Sequence, residues 1–351
     1  MSHTVEISSI CFSNSLDEED SLRLFSIGKD RRCFEYNVAG STMNPGLPVE
    51  AMFNLEMEAF PTACIWYPSA LDSKEGLLLT ANNEYKMKLW NPTTKSSRRT
   101  CLGPTYGGEI TKLKLLDEHS RDGKQYLLYA TSKKVIGLIQ LPLDGNPHKT
   151  MGLIAHPDEV QDICASADGK YVFTCGGSDL AVNMWYVDVA PIEQAIAMGG
   201  EGIDPFIQLI EGGAEGQTYQ DINDFFYYSM IRSKKENTTK TRKLEGWVPV
   251  QQLPFLMRAM GYYPTQQEIY NMMDEVRFSS YTTMGEPNLY VDLNTFIKLF
   301  VNHRPVYGIG KNNIEEAFRA ILADDENHDG GDAIFSDTLA ALLSDENIGS
   351  E

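Results

Sequence analysis

Between residues 324 and 332 the chain gathers Asp324, Asp325, Glu326, Asp329 and Asp332, the kind of oxygen-rich run from which a hard divalent cation draws its six to eight ligands. The same run reads as an acidic, solvated turn with His328 exposed beside it, and on that reading no metal is expected. Asp324, Asp325, Asp329 and Asp332 are the weak candidates for an ion site. Other chemistry is scarce. No GxxxxGK[ST], GxGxxG, GxSxG or HExxH pattern occurs, and His3, His119, His148, His156, His303 and His328 do not cluster with Cys or carboxylates at metal spacing. The sequence therefore points to a protein that is not an enzyme and takes no cofactor.

A different set of polar residues recurs with a spacing of its own. From His156 to Trp185 the chain reads as short strands over 160–165, 171–175 and 181–187, separated by an Asp168-Gly169 turn and a Gly176-Gly177-Ser178-Asp179 turn. This run resembles a WD repeat, in which a His, a hydroxyl, an Asp and a Trp satisfy one another's buried hydrogen bonds. His156, Asp179 and Trp185 fall on those positions, while Cys175 stands four residues before Asp179, where the hydroxyl is expected. The set thus reads as incomplete and the blade as loose. The same gaps of four and six residues pick out Ser26, Asp30 and Tyr36, then Thr80, Glu84 and Trp90. A further unit follows an Asp122-Gly123 turn, with Lys133 in the Asp place and Ile139 in the Trp place. Anchors at 36, 90, 139 and 185 recur at intervals close to those of WD repeats with loop insertions. About four blades are expected, forming an incomplete ring that exposes strand edges and blade faces. The reading that follows is of a shortened form or C-terminal portion of a longer propeller protein.

Composition narrows the class. A chain of 351 residues, 42% hydrophobic and 10% aromatic, has room for two cores. A formal charge of −19 argues against a nucleic-acid partner. No apolar run approaches the ~18–20 residues needed to cross a bilayer, and MSHTVEISSI lacks the features of a secretory signal, so no membrane partner is expected. Six cysteines without a CxxC pair read as buried free thiols in a reducing compartment.

After Val189 the strand pattern stops, and the organisation expected is propeller blades over 1–190, a Gly-rich linker over 191–217 and an all-α domain over 218–351. Helical periodicity places Ile222, Phe225, Phe226 and Ser229 on one face, then Leu253, Leu256, Met257 and Met260. Thr265 and Glu268 have capping-box spacing ahead of Ile269, Met272, Met273 and Val276. Residues 253–276 resemble the paired helices of the calmodulin and EF-hand family, and 314–322 looks like an entering helix of another hand. Aligned with that family, the twelfth loop position, where a bidentate Glu is needed, falls on Gln252, Thr295 and Thr338. None can clamp a cation with two anionic oxygens. The Met stripe at 257, 260, 272 and 273 reads as core or as a groove for a partner helix. Against the global charge, Arg232, Lys234, Lys235, Lys240, Arg242 and Lys243 stand together with Glu236 as the one acidic residue among them. They form either a solvated loop or a contact for an acidic partner.

WD repeats followed by degenerate EF-hands make the chain similar to the WD-repeat cilia- and flagella-associated subunit of the calmodulin- and spoke-associated complex. That resemblance implies a non-enzymatic scaffold that helps assemble or anchor radial spokes on doublet microtubules and so supports ciliary and sperm motility. It implies location in the cytoplasm and cytoskeleton, in the axoneme of motile cilia and flagella. The partners it implies are radial spoke base proteins, other subunits of the complex, calmodulin and tubulin. The alternative is a calcium-responsive adaptor whose own loops bind the ion.

Overall fold

The computed structural model describes residues 3–13, 22–44, 46–68, 75–116, 124–234, 246–279, 281 and 285–307. Met1–Arg304 form one compact unit and Pro305–Glu351 a second. The Asp122-Gly123 turn, the 314–322 helix and Thr338 lie outside the described residues.

Four antiparallel sheets follow one another along the chain, each built by strands in sequence order. The first three have four strands apiece: β1 (Ile7–Phe12) to β4 (Val49–Asn54), β5 (Pro61–Tyr67) to β8 (Ser96–Leu102), and β9 (Ile110–Leu116) to β12 (Thr150–Ile154). The fourth has three strands, β13 (Val160–Ala165), β14 (Tyr171–Gly176) and β15 (Val182–Tyr186). The first strands of neighbouring sheets, β1 with β5, β5 with β9 and β9 with β13, pack together. This is a propeller-like arrangement of four blades.

Successive side chains of a strand point to opposite faces, and here the two faces feed different cores. On β6 (Leu77–Asn82), Leu78 joins Phe25, Ile27, Trp66 and Trp90 between blades 1 and 2, while Leu77 and Leu79 join Leu127, Tyr129 and Val135 between blades 2 and 3. On β10 (Tyr126–Thr131), Tyr126 and Leu128 turn the other way, into the core shared with Val160, Ile163 and Val172 of blade 4. Strands between two neighbours are therefore buried on both faces: β6, β7 (Lys86–Asn91) and β10 are buried throughout, Lys86 and Lys88 of β7 included. The two end blades lack that second neighbour among the described residues. Ile7, Ile10 and Phe12 of β1 are exposed, as are Val182, Met184 and Tyr186 of β15.

The expected linker region contains structure. Helix α1 (Ala190–Met198) buries Ile192 against blade 4, and the short helix α2 (Asp204–Ile207) buries Phe206 in the helical core. Helices α3 (Gln217–Ser233), α4 (Leu253–Ala259), α5 (Gln266–Phe278) and α6 (Leu293–His303) surround Ile222, Phe226, Leu256, Met257, Met272 and Phe296. Thr265 caps α5 in a reciprocal capping box with Glu268. Asp292 caps α6 through the Thr295 amide. Met257 and Met272 are fully buried core residues, and Met260 and Met273 pack partly buried against them.

Blade 3 holds together by a different contact from its neighbours. Tyr129 on β10 pairs with Gly137 on β11 (Val135–Gln140), which pairs with Gly152 on β12. A Cβ at Gly137 would lie 2.6 Å from the Tyr129 ring and 2.2 Å from the Met151 carbonyl, and one at Gly152 would lie 2.7 Å from the Tyr129 hydroxyl. The phenol thus occupies the space left by two glycines. Gly137→Ala is expected to lower stability by about 1–3 kcal/mol through overpacking; a thermal melt indistinguishable from the parent would contradict this packing.

Candidate functional site: buried polar sets and the propeller–helix seam

Blade 4 contains a complete four-residue set. His156 shares a hydrogen bond from Nδ1 with Asp179 Oδ2 at 2.7 Å and from Nε2 with Thr174 Oγ1 at 2.8 Å. Trp185 Nε1 donates to the same hydroxyl at 3.0 Å. The hydroxyl is Thr174, one residue before the position expected from a four-residue gap. The reason lies in the turn, since five residues separate β14 from β15 whereas three separate β2 (Arg23–Gly28) from β3 (Arg32–Asn37). Cys175 is displaced and its thiol faces the Asp162 carbonyl at 3.6 Å. The hydrogen bond with His156, followed by that from the Ala181 amide, holds the Asp179 carboxyl below its usual value. Trp185 is half-buried rather than enclosed, because the face beyond it has no further blade among the described residues.

Blade 1 repeats the set with Tyr in place of Trp. His3 Nε2 meets Ser26 Oγ at 2.7 Å, His3 Nδ1 meets Asp30 Oδ1 at 2.9 Å, and Ser26 meets the Tyr36 hydroxyl at 2.9 Å. His3 was hidden from sequence reading by its place ahead of β1, 23 residues before Ser26, whereas His156 stands 18 before Thr174. Blade 2 keeps only a pair, Trp90 Nε1 to Thr80 Oγ1 at 3.2 Å. Glu84 instead donates its amide to Asn82, and its carboxyl is raised by burial first and then by Glu56 and Glu268. In blade 3 the register that places Thr80 two residues beyond the partner of Trp90 places Tyr129 two beyond the partner of Ile139. The tyrosine-on-glycine contact replaces the set, and burial raises the Tyr129 hydroxyl.

These sets build the blades, and a second group of buried polar residues fixes the helices to them. β8 is the outer strand of blade 2, and α5 and α6 both lie on it. An outer strand leaves alternate amides without a ladder partner. Here the Thr100 amide donates to Glu275 Oε2 at 3.1 Å and the Leu102 amide to Asn302 Oδ1 at 3.0 Å. Glu275 also meets His303 Nε2 at 2.9 Å. Lys86 Nζ donates to the carbonyls of Asn302 at 2.6 Å and Arg304 at 2.7 Å, which gives the C-terminal end of α6 the cation its dipole favours. Burial, then the nearby Lys88 and Arg304, pull the Lys86 ammonium down to about 7. Arg304 donates to the Leu209 carbonyl at 2.6 Å, and Gly145, at φ +84°, passes so close to Asn302 that a Cβ would collide with its amide oxygen at 2.1 Å. None of Lys86, Glu275, Asn302 or His303 stood out in the sequence, because a buried Lys and a helical Asn carry no motif.

The described helices form two helix–loop–helix pairs, α3 with α4 and α5 with α6. Their loops meet in a short antiparallel pair, β16 (Trp247–Pro249) with β17 (Tyr290–Asp292), where Val248 opposes Val291 and both are buried. Gln252 follows Val248, and Thr295 follows Val291, by the same four residues. Among the described residues no group of three or more His, Cys, Asp or Glu is placed to hold a metal ion, and no helix is long and apolar enough to cross a membrane. Arg232 is exposed at the end of α3 and Lys234 half-buried just after it. Lys235, Lys240, Arg242, Lys243, Asp324, Asp325, Asp329 and Asp332 lie outside the described residues. Cys33, Cys64 and Cys101 are buried and in no disulfide, Cys11 and Cys175 are half-buried, and Cys164 is exposed.

Fold and seam together define a propeller-like array of blades to which a helical module is locked through buried polar contacts. Residues 217–348 match the family model of the CFAP251 C-terminal domain. The chain is 48% identical over 339 residues to "Cilia- and flagella-associated protein 251" of Tetrahymena thermophila, covering 91% of this chain and 34% of that protein. It is 39% identical over 344 residues to the mouse protein of the same name, covering 97% of this chain and 26% of that protein. It is thus homologous to cilia- and flagella-associated protein 251 over most of its own length while spanning about a third or less of those relatives. Among solved structures, a "Humanized mutant of the Chaetomium thermophilum Polycomb Repressive Complex 2 bound to the inhibitor GSK126" is 16% identical, over 52% of this chain and 38% of that one, with a TM-score of 0.43.

Two substitutions separate these roles. Thr174→Val keeps the shape but strands His156 Nε2 and Trp185 Nε1, and a loss of about 1–3 kcal/mol is expected in denaturant unfolding, whereas Cys175→Ser should stay within about 0.5 kcal/mol. Lys86→Met should leave the last carbonyls of α6 unpaired and speed hydrogen exchange at Thr100 and Leu102. Unchanged protection at both amides would mean that Lys86 does not hold the seam.

Proposed function

We propose that this chain is a non-enzymatic scaffold of the axoneme, part of the calmodulin- and spoke-associated complex, which helps anchor radial spokes on doublet microtubules and supports motility of cilia and flagella. Its homology to cilia- and flagella-associated proteins supports the location, and their names indicate no catalytic family. The observation that carries the scaffold reading is the seam. The helical module is held on β8 by direct hydrogen bonds from or to Lys86, Glu275 and Asn302, which suits a permanently assembled platform. Its partners on this reading are radial spoke base proteins, fellow subunits of the complex, calmodulin and tubulin.

Two features support an EF-hand-like origin for the helical module, namely the Val248–Val291 pairing between loops and the capped entry to α5 and α6. Gln252 and Thr295 then stand where a calcium-clamping Glu is required. Calcium would act through a separate calmodulin subunit, and the organisation remains blades over 1–190 followed by the module over 218–351. The competing reading is a calcium-responsive adaptor using Asp324, Asp325, Asp329 and Asp332.

Immobilised full chain incubated with axonemal extract distinguishes the two. Retention of radial spoke base proteins, identified by mass spectrometry, to the same extent in calcium and in chelator is the expected result. Retention only in calcium would replace the scaffold by the adaptor, and no spoke protein in either buffer would overturn the proposal.

A further inference from the structure

At the far end of α3 two cation–ring pairs each carry a neighbouring tyrosine. The Arg232 guanidinium lies over the Phe255 ring at 4.2 Å, and Tyr228 packs against that ring at 6.1 Å. The Lys234 ammonium lies 5.9 Å over Trp247, whose ring packs at 4.0 Å against Tyr290. Tyr228, Arg232 and Tyr290 are exposed, and Phe255 and Trp247 half-buried. Arg232 makes no salt bridge among the described residues. In this chain of charge −19 the sequence after Lys234 carries Lys235, Lys240, Arg242 and Lys243 against Glu236.

We propose that this surface, formed by Tyr228, Arg232, Lys234, Trp247, Phe255 and Tyr290, binds a carboxylate-rich peptide segment of a protein partner. A cation resting on a ring loses side-chain freedom in advance, so less is lost when a carboxylate approaches it. Arg232 offers a fork of N–H donors that fits a carboxylate with two bonds, and Lys234 adds a point charge beside it. The exposed tyrosines add flat apolar area for the peptide backbone. Charge complementarity selects the partner class. A nucleic-acid strand would also seek cations and rings, but base stacking needs open ring faces. Here Arg232 and Tyr228 pack against Phe255, and Lys234 and Tyr290 against Trp247. The proposal stands on these contacts and is independent of the spoke-scaffold reading.

The test is fluorescence anisotropy of a labelled decaglutamate peptide titrated with the full chain at low salt. Binding that weakens as salt is raised is expected, and Arg232→Glu/Lys234→Glu should weaken it at least tenfold. Reversing charge elsewhere, with Lys112→Glu/Lys114→Glu on blade 3, should leave it unchanged, and circular dichroism melts should show all variants folded. Absence of binding by the parent chain, equal binding by the Arg232/Lys234 variant, or equally tight binding of a ten-nucleotide single-stranded DNA would each overturn the proposal.

Discussion

Each blade must bury both of its faces, and that requirement organises everything else in the propeller part. Because a strand alternates its side chains, Leu78 and Leu79 on β6 serve two different cores. Blades 2 and 3 are thereby locked between neighbours, and the order of the four sheets follows the order of the sequence. Where the second neighbour is missing among the described residues, the same alternation leaves Ile10 and Phe12 at one end and Met184 and Tyr186 at the other exposed. The half-burial of Trp185 in blade 4, against full burial of Trp90 in blade 2, has the same origin.

Burying blades also buries polar groups, and the molecule answers in two ways. Within blades 1 and 4, His, hydroxyl, carboxylate and aromatic side chains close a set in which every buried donor has an acceptor. In blade 3 the polar set is absent, and a tyrosine laid over Gly137 and Gly152 fills the space. Across the seam the same need appears at the backbone: outer amides of β8 and last carbonyls of α6 are buried together, and Lys86, Glu275 and Asn302 supply their partners. The helical module thus covers a strand edge that would otherwise be open to pairing.

Much was legible before the structure. The strands of blade 4 agree with the spacing of turns to within a residue, because glycine and aspartate turns punctuate alternating strands unambiguously. Helices α4 and α5 and the Thr265–Glu268 cap were likewise readable, since helical periodicity and capping are local. The region 191–217 read as a linker from its glycines, yet Ile192 and Phe206 are buried; whether such short apolar stretches fold depends on the surfaces awaiting them.

The sequence by itself determined the local units: which stretches alternate, where they turn, and which hydroxyl and aromatic pairs share a register. It misplaced the hydroxyl of blade 4 by one residue, since Cys175 and Thr174 are distinguished only by the longer turn that lets Thr174 face His156. What tertiary structure alone decided is the seam. Lys86 and Asn302 are more than two hundred residues apart in sequence, and nothing in either neighbourhood marks them as partners. Their pairing follows from the free edge of one blade meeting the end of one helix, a condition that exists only after both have folded.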